Sequence, residues 1–188
     1  MKPQVYIIAD PNGSGKTTFA REWVKEVGLP FLNADDIAAE IAEVSKFSKV
    51  RIKAGRQFLN RLNGIIEKKQ SIIVETTLSG SYFVKFFKRF QDAGYTVQLF
   101  YIYIKSIEQA LERIQLRVQK GGHDVPAEDV ERRFIRSKRN FWNIYRSMAE
   151  KWIMIYNAQE GFLPVAFGYS QDYHIVDERA FSLFREDI

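Results

Sequence analysis

Nine residues near the start of the chain, Asp10-Pro11-Asn12-Gly13-Ser14-Gly15-Lys16-Thr17-Thr18, have the types and spacing needed to cradle a polyphosphate. Gly13 and Gly15 let backbone N–H groups approach phosphate oxygens that any Cβ would obstruct. Lys16 is spaced to reach the β/γ-phosphates and the Thr17 hydroxyl to sit on Mg²⁺, while Asn12, Ser14 and Thr18 complete the nucleotide-binding set. The expected ligands are therefore ATP (or GTP) and Mg²⁺, with phosphoryl transfer as the chemistry. One position departs from the pattern. Such loops begin with Gly, and here Asp10 stands in its place, a carboxylate beside the position of bound phosphates.

Further chemistry-bearing residues recur at the ends of apolar runs. Asn33, Asp35 and Asp36 follow Phe31-Leu32, and a carboxylate placed there is suited to take a proton from an attacking hydroxyl. Of the tandem pair, Asp35 is the stronger candidate, since one of the two can serve simply to complement a helix dipole. Glu75 ends the run Ser71-Ile-Ile-Val74, where an uncompensated charge would be costly, and Thr76 and Thr77 add hydroxyls at the same rim. Arg113 and Arg117, four residues apart, share a helix face, and arginine's planar fork suits phosphate oxygens. Arg132, Arg133 and Arg136 follow a Gly121-Gly-His-Asp-Val-Pro126 break. A helix pair joined by such a turn, spanning about 106–140, reads as a lid over nucleotide, and the same arginines also fit a solvated helix face.

The elements that must position these residues alternate. Strand-like runs at Val5–Ala9, Phe31–Asn33, Ser71–Glu75, Thr96–Ile104 and Trp152–Asn157 are separated by helical spacing. Helices are predicted after the loop and over Ala34–Val44. A longer one follows, with Val50, Ala54, Phe58, Leu62 and Ile65 on one face, and others cover Tyr82–Ala93, Ile107–Gln119 with Ser106 as N-cap, and Ala127 to about Ala149. A hairpin-like pair around Val165–Phe167 and Tyr173–Val176 and a short helix over Asp177–Phe184 close the chain. The alternation predicts an α/β fold: an open, mostly parallel sheet of the P-loop NTPase kind with helices on both faces and a helical lid. In such sheets ligands lie at the C-terminal ends of the strands, where the residues singled out above fall.

The 188 residues fit one domain, and 46% hydrophobic content argues for a folded core. With no cysteine there is no disulfide, thiolate nucleophile or Cys-based zinc site. His123 and His174 are the only histidines, so a metal site of that kind is not expected either. The N-terminus has no signal pattern and no apolar run reaches membrane-spanning length, which predicts a cytoplasmic protein without a membrane partner. The net charge of +5 is modest. A nucleic-acid patch is compatible with the basic lid but is not the expected partner surface.

Taken in order, Pro11-Asn-Gly-Ser-Gly-Lys-Thr-Thr18, Asn33-Ala-Asp-Asp-Ile-Ala38, Ala54-Gly-Arg56, Glu75-Thr-Thr-Leu-Ser-Gly80, Gly121-Gly-His-Asp-Val-Pro126 and Arg132-Arg133 resemble the zeta toxin family of P-loop kinases, and within it a compact bacterial branch. The resemblance covers most of the chain. It implies an ATP-dependent phosphotransferase acting on a small-molecule hydroxyl, with a nucleotide-sugar such as UDP-N-acetylglucosamine as acceptor and a small antitoxin protein as partner. Lys16 and Thr17 match the loop lysine and the Mg²⁺-side hydroxyl, Asp35 the catalytic base, Glu75 an acceptor-sugar contact and Arg113 a phosphate-stabilising arginine. Asn33, Arg56, Thr76 and Thr77 join Glu75 on the acceptor side. The second lid cation is Arg117, Arg132 or His123. Two departures stand out: Asp10, and a chain shorter than the classical toxins. They leave open two other readings, a kinase for another hydroxyl such as a nucleic-acid 5′ end, and a nucleotide-binding or interaction module with a weakened loop.

Overall fold

Val5–Ala9 and Thr96–Tyr103 are apolar on both faces, a pattern that only strands covered on both sides satisfy. In the computed structural model, which describes residues 2–42, 50–122, 124–186 and 188, they form the centre of a seven-stranded sheet. The strands are β1 (Gln4–Ala9), β2 (Phe31–Leu32), β3 (Ile72–Thr76), β4 (Thr96–Tyr103), β5 (Lys151–Ala158), β6 (Gly161–Tyr169) and β7 (Asp172–Ile175). Their order is β2-β3-β1-β4-β5-β6-β7. The first five are mutually parallel, and β6 and β7 extend the sheet as an antiparallel meander. The helices are α1 (Lys16–Val27), α2 (Ala34–Ala42), α3 (Val50–Glu67), α4 (Val84–Asp92), α5 (Ile107–Gln119), α6 (Ala127–Asn140), α7 (Arg146–Met148) and α8 (Glu178–Arg185). This is the open α/β architecture with helices on both faces that the alternation predicts.

One sheet face is buried by α2, α3, α4 and α8 together with the segment after α6. Phe86, Phe87 and Phe90 of α4 are all buried there, each stabilising the fold by roughly 1.5–3 kcal/mol relative to exposure. The opposite face packs Ile8, Ile73, Phe100 and Ile102 against α1 through Ala20, Phe19 and Trp23. A third, smaller core lies between α5 and α6, built from Ala110, Ile114, Val125, Val130 and Phe134 with Ile104. The expected lid helices thus have a core of their own.

The local signals place the boundaries well. The Ser106 side chain caps α5 by accepting from Gln109 N–H at 3.3 Å, and Asp177 caps α8 by accepting from Ala180 N–H at 2.9 Å. On α3 the buried stripe ends at Ile66, with Ile65 only partly covered, because the helix period carries the inward face one residue further. The helix expected from Ala127 to about Ala149 is continuous to Met148 but changes its winding part-way. After Asn140 a single π turn, Phe141–Tyr145, re-phases the chain so that Phe141 and Tyr145, both wholly buried, face the sheet. Of the helix expected over 34–44, the last two residues lie outside those described. Among the described residues no helix is long and apolar enough to cross a membrane.

Candidate nucleotide and acceptor site

The loop between β1 and α1 wraps a helix N-terminus, as its sequence demands. Gly13 has φ +84°, and a Cβ there would meet the Ala110 carbonyl oxygen of α5 at 2.8 Å. Gly15, the N-cap of α1, has φ +93°, and a Cβ would collide with the Asn157 side chain. Asn157 Nδ2 donates to the Ser14 carbonyl oxygen at 2.7 Å, tying the loop to the end of β5. Asn157 was not among the residues singled out from the sequence, although it ends a predicted strand and obeys the same positional rule as Asn33 and Glu75.

Lys16, Thr17, Arg113, Arg117, Gly15 and Asn157 border a cavity of about 320 Å³, within the size range of small-ligand sites. Arg113 Nη2 donates to the Asn157 carbonyl oxygen at 3.4 Å. The two arginines and the loop lysine therefore border the same cavity. Asn12 Oδ1 and Ser14 Oγ are buried and have no hydrogen-bond partner among the described residues. Polar atoms left in that state beside a basic cavity fit a polyphosphate ligand. Of the other cations considered for the lid, Arg132 and Arg133 both pair with Asp129, and Arg132 is 53% exposed, whereas His123 lies outside the described residues.

Asp10 is wholly buried. Its Oδ1 lies 2.7 Å from Lys16 Nζ, and its Oδ2 accepts from Lys16 N–H at 3.3 Å. The backbone at this position needs no positive φ, so Asp is accommodated where the pattern has Gly. Burial pushes the Asp10 carboxyl up to about 7 despite the downward pull of Lys16. Burial works against the Lys16 charge too, but Asp10 and Glu75 outweigh it and hold the ammonium above its ordinary value. The carboxylate that would repel phosphates thus rests on the lysine that would bind them.

On the other side of the loop, three side chains and one backbone N–H join in one run. Thr17 Oγ1 donates to Glu75 Oε1 at 3.1 Å, Asn33 Nδ2 donates to Glu75 Oε2 at 3.0 Å, and Asp35 N–H donates to Asn33 Oδ1 at 2.7 Å. Glu75 also lies 3.8 Å from Lys16 Nζ. Burial raises the Glu75 carboxyl, Lys16 and the Thr17 hydroxyl draw it back, and Asp35 and Asp36 push it up again. Asp35 is exposed at the start of α2, and its charge is felt by both Lys16 and Glu75. Thr17 and Glu75 make a pair of hard oxygen ligands. Among the described residues no group of three or more acidic, His or Cys side chains forms a metal cage. That composition suits Mg²⁺, which binds through one or two protein oxygens with phosphate oxygens and water completing its shell. Thr76 and Thr77 lie just beyond, Thr76 Oγ1 accepting from Leu78 N–H at 3.4 Å and Thr77 Oγ1 bonding Ser79 Oγ at 2.9 Å. Arg56 is exposed on α3, outside this run.

Fold and loop together define the class: a P-loop kinase fold, with the Gly-rich loop, Asp35 and Glu75 at the C-terminal ends of the parallel strands. The chain belongs to the zeta toxin family, whose model matches residues 1–163. Membership of that family supports the phosphotransferase reading that the resemblance implies. It is 32% identical over 130 residues to an uncharacterised protein of Haemophilus influenzae, covering 69% of this chain and 91% of that one. Among solved structures it is similar to a chain of the AvrRxo1-ORF1:AvrRxo1-ORF2 complex. With sulphate ions that structure has a TM-score of 0.77 at 18% identity, and with ATP 0.76 at 19%. Both matches cover 99% of this chain and 64% of the other, so this chain spans less than two thirds of that relative's length. It is also similar to a chain of the PezAT toxin-antitoxin system of Streptococcus pneumoniae, with a TM-score of 0.66 at 15% identity, covering 99% of this chain and 86% of that one.

Proposed function

We propose that this chain transfers the terminal phosphoryl group of ATP or GTP to a hydroxyl of a nucleotide-sugar, UDP-N-acetylglucosamine being the leading acceptor. The observation that carries the reading is the run Thr17–Glu75–Asn33–Asp35. It joins the Thr17 hydroxyl, through the Glu75 carboxylate and the Asn33 side chain, to the backbone N–H of Asp35 at the exposed start of α2, in three hydrogen bonds of 2.7–3.1 Å. Lys16, Arg113 and Arg117 face the cavity from two sides and neutralise charge on the transferred group. Asp35, held by its own N–H on Asn33, accepts the proton of the acceptor hydroxyl. Glu75 holds the Thr17 hydroxyl and Asn33 in register, and Thr76 and Thr77 border the acceptor. Mg²⁺ at Thr17 and Glu75 would screen the phosphate charge during transfer. The α5–α6 pair is the proposed lid, and a small antitoxin the proposed partner, on the precedent of the toxin-antitoxin system named above.

The test is transfer of labelled γ-phosphate from ATP to a series of UDP-sugars. The native protein is expected to label the sugar, and Asp35→Asn to lower kcat by roughly 10²–10⁴-fold with little change in nucleotide affinity. Full transfer by Asp35→Asn would remove it as the base, and no labelled product from any UDP-sugar would remove the acceptor. One observation favours a second reading, a nucleotide-sensing module with a weakened loop: the 2.7 Å contact between Asp10 and Lys16.

A further inference from the structure

One buried stripe of α6 serves two places. Val130 and Phe134 lie in the small core shared with Ala110 and Ile114 of α5. Ser137, less than a turn further and equally buried, and Asn140 after it serve the chain beyond β3 instead. Ser137 Oγ donates to the Thr77 carbonyl oxygen at 2.6 Å and Asn140 Nδ2 to that of Leu78 at 2.8 Å. Tyr101 OH donates to Ser137 Oγ at 3.1 Å, leaving the serine proton for Thr77. Tyr145 OH, in the π turn, adds a third bond to the Gly80 carbonyl oxygen at 2.6 Å. Between these anchors Leu78 is buried at φ +49°, a conformation that costs a residue with a β-carbon energy and persists only where its surroundings enforce it. The segment has two states available, left-handed while held and relaxed when released.

At its other side α5 is seated on the phosphate loop. A Cβ at Gly13 would meet the Ala110 carbonyl oxygen at 2.8 Å, and Arg113, Ile114 and Arg117 border the cavity beside Lys16. Ile114 thus belongs both to the cavity wall and to the α5–α6 core. A packed route runs from the cavity through α5 and α6 to Leu78, whose segment follows directly on Glu75 and Thr76.

We infer that Ser137 and Asn140 are positioning residues that make the Leu78 segment respond to bound nucleotide. The inference rests on the kinase reading for the ligand of the cavity, and goes beyond it in tying the nucleotide side of the site to the far end of β3. Phosphates beside Lys16 pair with Arg113 and Arg117 and hold α5 against the loop. Because α6 packs on α5 through Val130 and Phe134, it is held as well, and close-packed side chains transmit a displacement rather than absorb it. The two donors on α6 then keep Leu78 left-handed. A shift of α6 by about 1 Å would carry both bonds out of hydrogen-bonding range and release the strain. Nucleotide thereby raises the population of the anchored state, and Thr76 and Thr77 are presented in one fixed geometry.

Hydrogen–deuterium exchange of the backbone amides over 77–83 reads the segment directly, in the full-length protein with and without the non-hydrolysable analogue AMP-PNP and Mg²⁺. Saturating analogue is expected to slow that exchange about fivefold or more in the native protein. In Asn140→Ala the exchange is expected to be faster, and the analogue to alter it by less than about twofold, while its Kd by calorimetry stays within about threefold of native. Ser137→Ala is expected to behave in the same way, and serves as the second uncoupled variant if the first folds poorly. Tyr145→Phe separates coupling from mere support. Tyr145 packs against Phe87 in the main core rather than in the α5–α6 core, so its loss of a bond should raise the basal exchange while the analogue still slows it about threefold or more. The inference is overturned if bound analogue leaves the native segment unchanged, if the slowing survives in both α6 variants, or if Tyr145→Phe abolishes it as fully as Asn140→Ala does. No binding of the analogue by calorimetry would overturn the kinase reading and this inference with it, whereas binding without slowing overturns this inference alone.

Discussion

Replacing Asp10 by Asn keeps the size of the side chain and its acceptor for the Lys16 N–H, but removes the charge that faces Lys16 Nζ at 2.7 Å. That contact must be given up when Lys16 turns to a phosphate. A charge-assisted hydrogen bond contributes about 1.5–3 kcal/mol, so its removal from the unliganded state should tighten nucleotide binding about 10- to 150-fold at pH 8 and above, where Asp10 is ionised. The acidity of Asp10 gives an independent handle. Burial raises its carboxyl to about 7, with Lys16 pulling it down and Glu75 pushing it up. The sign follows directly: as pH falls through 7 the carboxyl takes up a proton, loses its hold on Lys16 and ceases to repel the incoming phosphates. If nucleotide binds the neutral form, the competent fraction is about 0.9 at pH 6 and about 0.1 at pH 8, which weakens apparent affinity about tenfold over that interval. The terminal phosphate of ATP titrates in the same range, so the quantity to compare is the pH 8 to pH 6 ratio of Kd in native protein against the ratio in Asp10→Asn, by calorimetry. The native ratio should exceed that of the variant about tenfold. Equal ratios, together with a Kd for Asp10→Asn within twofold of native at pH 8, would refute the view that Asp10 competes for Lys16. Binding that appears only in the variant would favour the weakened-loop reading.

Two further substitutions test how the loop is held. Asn157→Ala removes the 2.7 Å bond to the Ser14 carbonyl oxygen, and loss of about 1 kcal/mol of loop ordering should weaken nucleotide binding about fivefold with little change in melting temperature; unchanged affinity would mean the bond does not shape the cradle. Gly13→Ala places a Cβ 2.8 Å from the Ala110 carbonyl oxygen at φ +84°, combining backbone strain of about 1–2 kcal/mol with a clash against a helix backbone that cannot yield. A fall in melting temperature of roughly 3–8 °C is expected from that strain alone. A change below 1 °C would show that α5 does not press on the loop in solution.

The α/β class, the strand and helix order and the loop are legible in the amino-acid pattern, because each depends on local residue choice. Thr96–Tyr103 can only be a buried strand, Ser106 and Asp177 cap the helices they precede, and Gly13 and Gly15 demand a phosphate-style turn. The pattern also brought Asn33, Asp35, Glu75, Arg113 and Arg117 onto one short list, since strand ends converge at one edge of a parallel sheet. Relations across long separations come from the folded packing instead. Asp10 is read from sequence as a repelling charge, and becomes a partner of Lys16 only because burial by neighbouring strands forces the pair together. Asn157 reaches Ser14 across 143 residues, a distance no periodicity encodes. The pairing of Arg132 with Asp129, by contrast, is an i,i+3 contact on α6 that helical spacing alone makes available. The left-handed Leu78 and the three donors that hold its loop lie about sixty residues apart in the chain, and only the close packing of α6 and the π turn against the end of β3 brings them into hydrogen-bonding range.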